Sequence, residues 1–442
     1  MKSPRVEPSD RRRILLLATP VMLAMGSQNL VNLIDILMVS RLGEAALAAV
    51  GLGSFLIFTL QALTLGAATG VQTLTARLHG AQASATLCVP LVNALALAVI
   101  LLPAVSLVLF AIAPLALREM HADAVVVSHT TDYAQARIWS LTFIAANFAF
   151  RGFFTAQDQA RVFLYVMGAM HLTNIVLNYG LIFGHFGLPA LGVAGAGWAT
   201  TLSAALGSGV YVYLTRRQLQ SVLRQWRAQW TPLLTIALPY SLQQFLITLG
   251  AAALLWIIGQ LGTSALAAGT VVMNLMLLAI LPAIGIGIAT ASLVSQSVGA
   301  GEPARAAYWV HETLKLGTLV LGCVGAPLWL LPNTIAALFI ADPATLALTE
   351  WPLRIVGMGM IFEASGLVLL HALYSTGRSR HALAVTTGLQ WLVFLPAAYL
   401  LGPALGLGLG LTSIMTAYVV YRAALAATLW LVWRRRPNPH PT

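Results

Sequence analysis

The sequence predicts an all-α membrane protein, with twelve transmembrane helices arranged as two six-helix bundles, and three observations carry that prediction. Of its 442 residues, 59% are hydrophobic and only 8% charged, where soluble domains run near ~25% charged. Apolar runs of about 20 residues, the length that spans a bilayer, recur along the whole chain. The second half of the chain also repeats the first. Backbone groups in lipid must be satisfied inside their own segment, so long apolar runs mean helices. The ~10-residue alternating segments of a transmembrane barrel are absent.

The expected spans are 14–39, 45–78, 85–114, 124–156, 161–184, 190–215, 231–260, 264–297, 304–331, 349–376, 380–401 and 405–433. Connections are short except around Arg216 to Trp230, where RRQLQSVLRQWRAQW is basic and polar. This divides the chain into a tail (1–13), a first bundle (14–215), a basic linker (216–230), a second bundle (231–433) and a second tail (434–442). Residues Met1 to Met25 resemble a signal peptide, but the apolar run continues to about Val39, too long for a signal h-region. It also has a counterpart in the second half, so it is expected to belong to the fold.

The repeat is explicit. ATPVMLAM from Ala18 matches ALPYSLQQ from Ala237, RLGEAALAA from Arg41 matches QLGTSALAA from Gln260, and LHGA from Leu78 matches SVGA from Ser297. Pro20 and Pro239, Gly43 and Gly262, Gly80 and Gly299, and Arg161 and Arg380 are all separated by the same 219 positions. Near the end LGVAG from Leu191 matches LGLGL from Leu405, with the offset reduced to 214. One six-helix unit was duplicated. Six is even, so both copies keep one orientation and are related by an axis along the membrane normal.

A formal net charge of +11 invites a nucleic-acid reading, which the placement of the basic residues rejects. They cluster between apolar runs rather than on one amphipathic face. The N-terminus, the even-to-odd connections and the C-terminus carry Arg11, Arg12, Arg13, Arg77, Arg151, Arg161, Arg216, Arg217, Arg305, Arg378, Arg380, Arg434 and Arg435, among others; the opposite side carries Arg41 and Arg118. The positive-inside rule then puts both termini in the cytoplasm. Cys88 and Cys323 lie in apolar runs and read as small core hydrophobes. The nine histidines are scattered with no metal-binding spacing, and no phosphate loop or nucleophile elbow occurs.

Ionisable and amide groups inside spans mark function, because they are costly in a bilayer. In span 1, Gln28, Asn32 and Asp35 sit at i, i+4 and i+7, a single polar stripe on an apolar helix. Two readings fit Asp35: it faces a cavity or a neighbouring helix, or it lies about 9 Å from Arg41 along the helix axis and reaches water at the span's end. Asn174 and Asn178 in span 5 are again i and i+4, either site residues or amide contacts between helices. Thr200 in span 6 is a weaker signal. Glu363 stands mid-span in MIFEASGLVLL and must be protonated or find a partner. Gln243 and Gln244 in span 7 are softer candidates. Arg137 and Arg354, near the starts of spans 4 and 10, correspond between the copies and suggest a role in the fold. Glu312 and Lys315 are placed to pair at i, i+3.

The paired P…LG…ALAA…G units, Asp35 in NLVNLIDILMVSRLG, the TNIVLNYGLIFG…LGVAGAGWAT block and the 6+6 repeat together resemble the MATE (multidrug and toxic compound extrusion) transporters over nearly the whole chain. The resemblance implies two six-helix bundles around a central cleft, exporting organic cations in exchange for H⁺ or Na⁺. It implies that Asp35 is the first-helix carboxylate, Asn174 the span-5 asparagine and Thr200 a site threonine. Asn178 follows the NorM-like pattern, where DinF-like members have aspartate. Glu363 falls where NorM-like members place a span-10 aspartate. The span-7 glutamate of those members is missing: Gln243 and Gln244 are nearby and Ile247 is the ungapped match. This shifts the expectation towards protons, although Asp35, Asn174, Asn178 and Thr200 together would suit Na⁺.

The expected function is therefore efflux of cationic amphipathic small molecules by a monomeric antiporter of the bacterial inner membrane, in contact with membrane lipids. No cofactor beyond the coupling ion, no nucleic acid and no enzymatic chemistry is expected. The alternative is a flippase for a lipid-linked precursor. That function wants several basic groups facing a cavity, and the spans offer chiefly Arg137, Lys315, Arg354 and Arg422.

Overall fold

The computed structural model describes residues 8–118, 123–223, 230–404 and 410–435. The ends of both tails, part of the basic linker (including Arg224 and Arg227) and the LGLGL segment from Leu405 lie outside the described residues. Helices account for nearly everything else. In the first half these are α1 (Pro8–Ser40), α2 (Glu44–Ala62), α3 (Leu65–Gly80), α4 (Val89–Arg118), α5 (Ala124–Ile138), α6 (Ser140–Ala156), α7 (Ala160–Phe183) and α8 (Val193–Leu223). The second half contains α9 (Trp230–Gly259), α10 (Thr263–Ala279), α11 (Leu281–Gly299), α12 (Pro303–Leu330), the single turns α13 (Pro332–Ala336) and α14 (Pro343–Ala347), α15 (Glu350–Ser375), α16 (Ser379–Gly388), α17 (Leu395–Tyr399) and α18 (Gly410–Arg434).

Each of the twelve expected spans is mostly helical over its described residues. Among these residues, ten helical segments are long and apolar enough to cross a membrane. The other two, α5 with α6 and α8, are equally long but more polar: Asp132, Arg137 and Arg151 fall in one, Arg216 and Arg217 in the other. Span 2 is broken at Leu63–Thr64 into α2 and α3, and its copy is broken at Ile280 into α10 and α11. The repeat therefore extends to helix interruptions.

The turn opening α2 explains the repeated LG. Gly43 (φ 106°, ψ 173°) and Gly262 (φ 111°, ψ 169°) precede α2 and α10 in a backbone conformation essentially reserved for glycine. A short reversal between spans 1 and 2 needs such a residue, and the duplication preserved it.

The chain packs as two compact units. One comprises Leu23–Ser241 and the other Met1–Met22 with Leu242–Thr442; they are called here the N-terminal and C-terminal units. The divisions fall inside α1 and α9 rather than in the basic linker, so the units differ from bundles bounded at 14–215 and 231–433. Each division lies two residues beyond a proline within the helix, Pro20 and Pro239, where a backbone hydrogen bond is lost.

The N-terminal unit is organised around aromatic packing. Tyr211 of α8 stacks on Phe150 of α6, with ring centroids 5.0 Å apart, and on Phe154 at 5.7 Å. Val71, Cys88, Leu91, Phe153, Val166 and Leu233 complete this core. A second cluster, Val39, Val50, Tyr133, Ile182 and Val193, packs α1, α2, α5, α7 and α8 together beside Asp35 in sequence. Cys88 joins the core, but Cys323 is exposed on α12, contrary to the core reading.

In the C-terminal unit, the start of α1 is held by polar contacts. Tyr308 donates to Asp10 at 2.8 Å and Arg13 donates to Gln296 at 2.6 Å. Gly325 of α12 and Gly357 of α15 face each other so closely that a methyl group on either would strike the other's backbone, which is how small residues permit tight helix contact. Leu389–Phe394 and Leu400–Ala404 are wound as π-helix. From the first of these, Gln390 and Trp391 donate to the Ile247 and Leu246 carbonyls of α9 at 3.4 and 3.3 Å.

Candidate functional site

The polar stripe of α1 lies in the N-terminal unit, and α7 meets it. Asn178 donates its amide to Asp35 Oδ1 at 2.6 Å and to Asn174 Oδ1 at 3.2 Å. Asn178 is fully buried and Asn174 nearly so, while Asp35 is partly exposed. The two asparagines are one turn apart on α7, so one helix face delivers both amides. Lower on α1, Gln28 donates to Asn32 at 3.0 Å.

The carboxylate of Asp35 therefore meets a neighbouring helix while staying partly exposed. A hydrogen bond to an ionised carboxylate contributes about 1.5–3 kcal/mol. It uses one carboxylate oxygen; Oδ2 accepts no hydrogen bond from the described residues. The Asn178 carbonyl oxygen is likewise buried with no hydrogen-bond partner among the described residues.

Arg137, at the end of α5, supplies positive potential to Asp35. Its own hydrogen bonds go elsewhere, to Ser54 Oγ at 3.1 Å and to the Tyr133 hydroxyl. The guanidinium also lies over the Tyr133 ring, 5.4 Å from its centroid, and Ser54 and Tyr133 are bonded at 2.9 Å. Sequence reasoning gave Arg137 a fold role shared with Arg354. The two differ: Arg354 pairs with Glu350 at 2.9 Å on its own helix. Lys315 pairs with Glu312 at 2.8 Å, as their spacing suggested.

Thr200 back-bonds to Ala196 of its own helix at 3.1 Å, and no hydrogen bond joins it to Asp35. Gln243 and Gln244 belong to the C-terminal unit. Gln243 is completely buried, and neither end of its amide has a hydrogen-bond partner among the described residues; Gln244 is half-buried.

Glu363, also in the C-terminal unit, finds a charged partner. Buried on α15, it forms an ion pair with Arg422 of α18. Tyr418, one turn before Arg422, donates to Glu363 Oε1 at 2.6 Å. The guanidinium sits over the rings of Tyr418 and Tyr421, 6.0 and 5.7 Å from their centroids. Tyr421 in turn stacks on Phe394 at 5.1 Å, where the first π-helical stretch ends. The sequence reading counted Arg422 among the few basic residues in spans but did not connect it to Glu363. A Y-x-x-x-R spacing recurs as Tyr133/Arg137 and Tyr418/Arg422, but it does not say which group the arginine faces.

Duplicated helical units that hold polar groups inside their spans are a common build among secondary transporters. A MatE family model matches residues 20–180 and again 239–400, and the two matches begin the same 219 positions apart as the repeat. The chain belongs to the MatE family, whose members are transporters rather than enzymes. It is similar to the probable multidrug resistance protein NorM of Thermotoga maritima, 25% identical over 442 residues, covering 97% of this chain and 94% of that protein. Multidrug resistance protein NorM of Burkholderia vietnamiensis is 29% identical over 422 residues, covering 89% and 87%. Among solved structures, the outward-facing conformation of a multidrug resistance MATE family transporter of the MOP superfamily has a TM-score of 0.88 at 24% identity, covering 96% of this chain and 95% of that one. That last likeness is one of fold.

Proposed function

We propose that this transporter exports cationic, amphipathic small molecules in exchange for protons, with Asp35 as the coupling group. The observation that carries the reading is Asp35 itself. This carboxylate in a membrane span is held by a neutral amide at 2.6 Å, and its second oxygen accepts no hydrogen bond from the described residues. A proton requires only one such group. It drives transport by binding the two access states with different affinity, which a partly exposed carboxylate on a helix provides when its burial changes between states. The multidrug resistance names of the relatives support a drug-like substrate. The distribution of basic residues supports an orientation with both termini cytoplasmic, the bacterial names of the relatives favour a bacterial inner membrane, and a monomer is sufficient for this scheme.

Sodium is the competing ion. Asp35, Asn174 and Asn178 offer it oxygens, and the Thr200 hydroxyl, which donates to Ala196, keeps its lone pairs; what favours the proton is that it needs a single carboxylate, and that span 7 lacks a second one. The flippase reading gains nothing from the structure. Arg137, Lys315, Arg354 and Arg422 each engage partners inside the protein, and only Lys315 keeps a half-exposed charge, short of the several cavity-facing basic groups a pyrophosphate calls for. Purified protein in proteoliposomes containing a pH-sensitive dye tests the proposal. Adding an organic cation such as ethidium on the substrate side should move protons the opposite way, in proportion to uptake. Ethidium transport with no accompanying proton movement contradicts it.

A further inference from the structure

We propose that Arg422 is a tethered counter-cation, permanently occupying the cation position at Glu363, so that the C-terminal unit's carboxylate exchanges no ion during transport. The inference rests on the reading of a cation-coupled transporter and assigns its second carboxylate a distinct role.

Both oxygens of Glu363 are taken by side chains of one helix. Oε1 accepts from Tyr418 at 2.6 Å and Oε2 faces Arg422. Tyr418 and Arg422 are one turn apart on α18, so the two contacts form or break together. The carboxylate is 3% exposed and the guanidinium 15%, so neither charge has water as a ready substitute for its partner. The guanidinium is also held from the side by the rings of Tyr418 and Tyr421, with Phe394 stacked behind Tyr421. On α15 it passes over Gly366, one turn beyond Glu363, where a methyl group would just touch it at 3.9 Å. A mobile cation would have to displace a charge that cannot diffuse away, and a tethered competitor acts at a high effective concentration.

The N-terminal unit shows the contrasting arrangement with the same residue types. Its tyrosine and arginine, Tyr133 and Arg137, are also one turn apart and also engaged through ring and hydroxyl. There the arginine bonds Ser54 and leaves the carboxylate to a neutral amide. One carboxylate is thus open to a mobile cation, and the other is closed by a built-in one.

The test is thermal unfolding of detergent-purified protein at pH 8.5, in sodium chloride against choline chloride at equal ionic strength. An Asp35→Asn background removes the first carboxylate, so the result is readable whether or not Asp35 couples protons. In that background sodium should leave Tm unchanged. Adding Arg422→Gln should lower Tm in choline and create a sodium-dependent rise of about 3 °C or more, as expected for a ligand bound well above its Kd. Adding Glu363→Gln to that protein should abolish the rise. Two results overturn the proposal: a folded Arg422→Gln protein with no sodium response, or a sodium response in Asp35→Asn protein with Arg422 intact that Glu363→Gln removes. The second comparison stands even if Arg422→Gln does not fold.

Discussion

Asn178 reaches from α7 to Asp35 on α1 with a 2.6 Å hydrogen bond while donating the same amide to Asn174. The bond links two helices of the N-terminal unit through the one ionisable group on α1's polar stripe. Anything that changes the charge of Asp35 therefore changes a contact between helices. This is the physical route by which ion binding can bias a conformational equilibrium.

Asp35→Asn should abolish coupled export while leaving expression and folding intact. The amide is nearly isosteric and can keep a hydrogen bond to Asn178, but it cannot carry a proton or a negative charge. Monodisperse elution with unchanged Tm, together with loss of gradient-driven uptake in proteoliposomes, is the expected pair of results. Wild-type transport rates would remove Asp35 from the mechanism.

Asn178→Leu should reduce coupled transport by about tenfold or more and lower stability by about 1–3 kcal/mol, the range for depriving a buried polar group of its partner. Asn178→Asp should act differently, placing a second carboxylate against the first and shifting the transport optimum to higher pH, because like charges favour protonation. A pH profile of uptake for the two variants separates the loss of a donor from the gain of a charge.

Glu363→Gln should be milder for coupling than Asp35→Asn yet worse for stability. It leaves Arg422 buried without its counter-charge, and breaking a buried pair from one side costs about 3–5 kcal/mol. Replacing both partners, as in Glu363→Met with Arg422→Met, should recover much of that loss. Thermal unfolding of the three proteins checks the order. If Glu363→Gln loses all ion-driven flux while Asp35→Asn retains it, the assignment of the coupling site is reversed.

Gly43→Ala and Gly262→Ala should each destabilise the protein by about 1–3 kcal/mol, because both positions hold a conformation that side chains resist. The effects should be similar in size, since the two glycines occupy the same turn in two copies of one unit. A tolerated substitution at either position, with unchanged Tm, would show that the turn relaxes.

Much of the fold was legible because lipid imposes a simple rule on sequence: a span must be long and apolar. Span 4 strains that rule with Asp132, Arg137 and Arg151, and the helix of span 6 runs on past its apolar part through Arg216 and Arg217 to Leu223. The division of the chain inside α1 and α9 was not legible. A continuous apolar helix gives no sign of which neighbour each half packs against, and Pro20 and Pro239 mark only where its backbone is weakest. In the site, helical spacing grouped Gln28, Asn32 and Asp35, and Asn174 with Asn178. It could not say that Arg422, 59 residues along, faces Glu363, because contacts between helices depend on rotation and depth, which a one-dimensional pattern does not contain. Thr200 and the span-7 glutamines were named by resemblance or composition. Thr200 makes no hydrogen bond to Asp35, and Gln243 is buried with no hydrogen-bond partner for its amide among the described residues.

The central claim, that a proton on Asp35 drives export, is tested most directly by imposing each gradient alone. Proteoliposomes loaded with ethidium are placed under a pH gradient in sodium-free buffer and, separately, under a sodium gradient at fixed pH. The pH gradient alone should drive ethidium movement, the sodium gradient alone should not, and Asp35→Asn should abolish the pH-driven flux. Ethidium movement under the sodium gradient alone, with none under the pH gradient, would contradict the account.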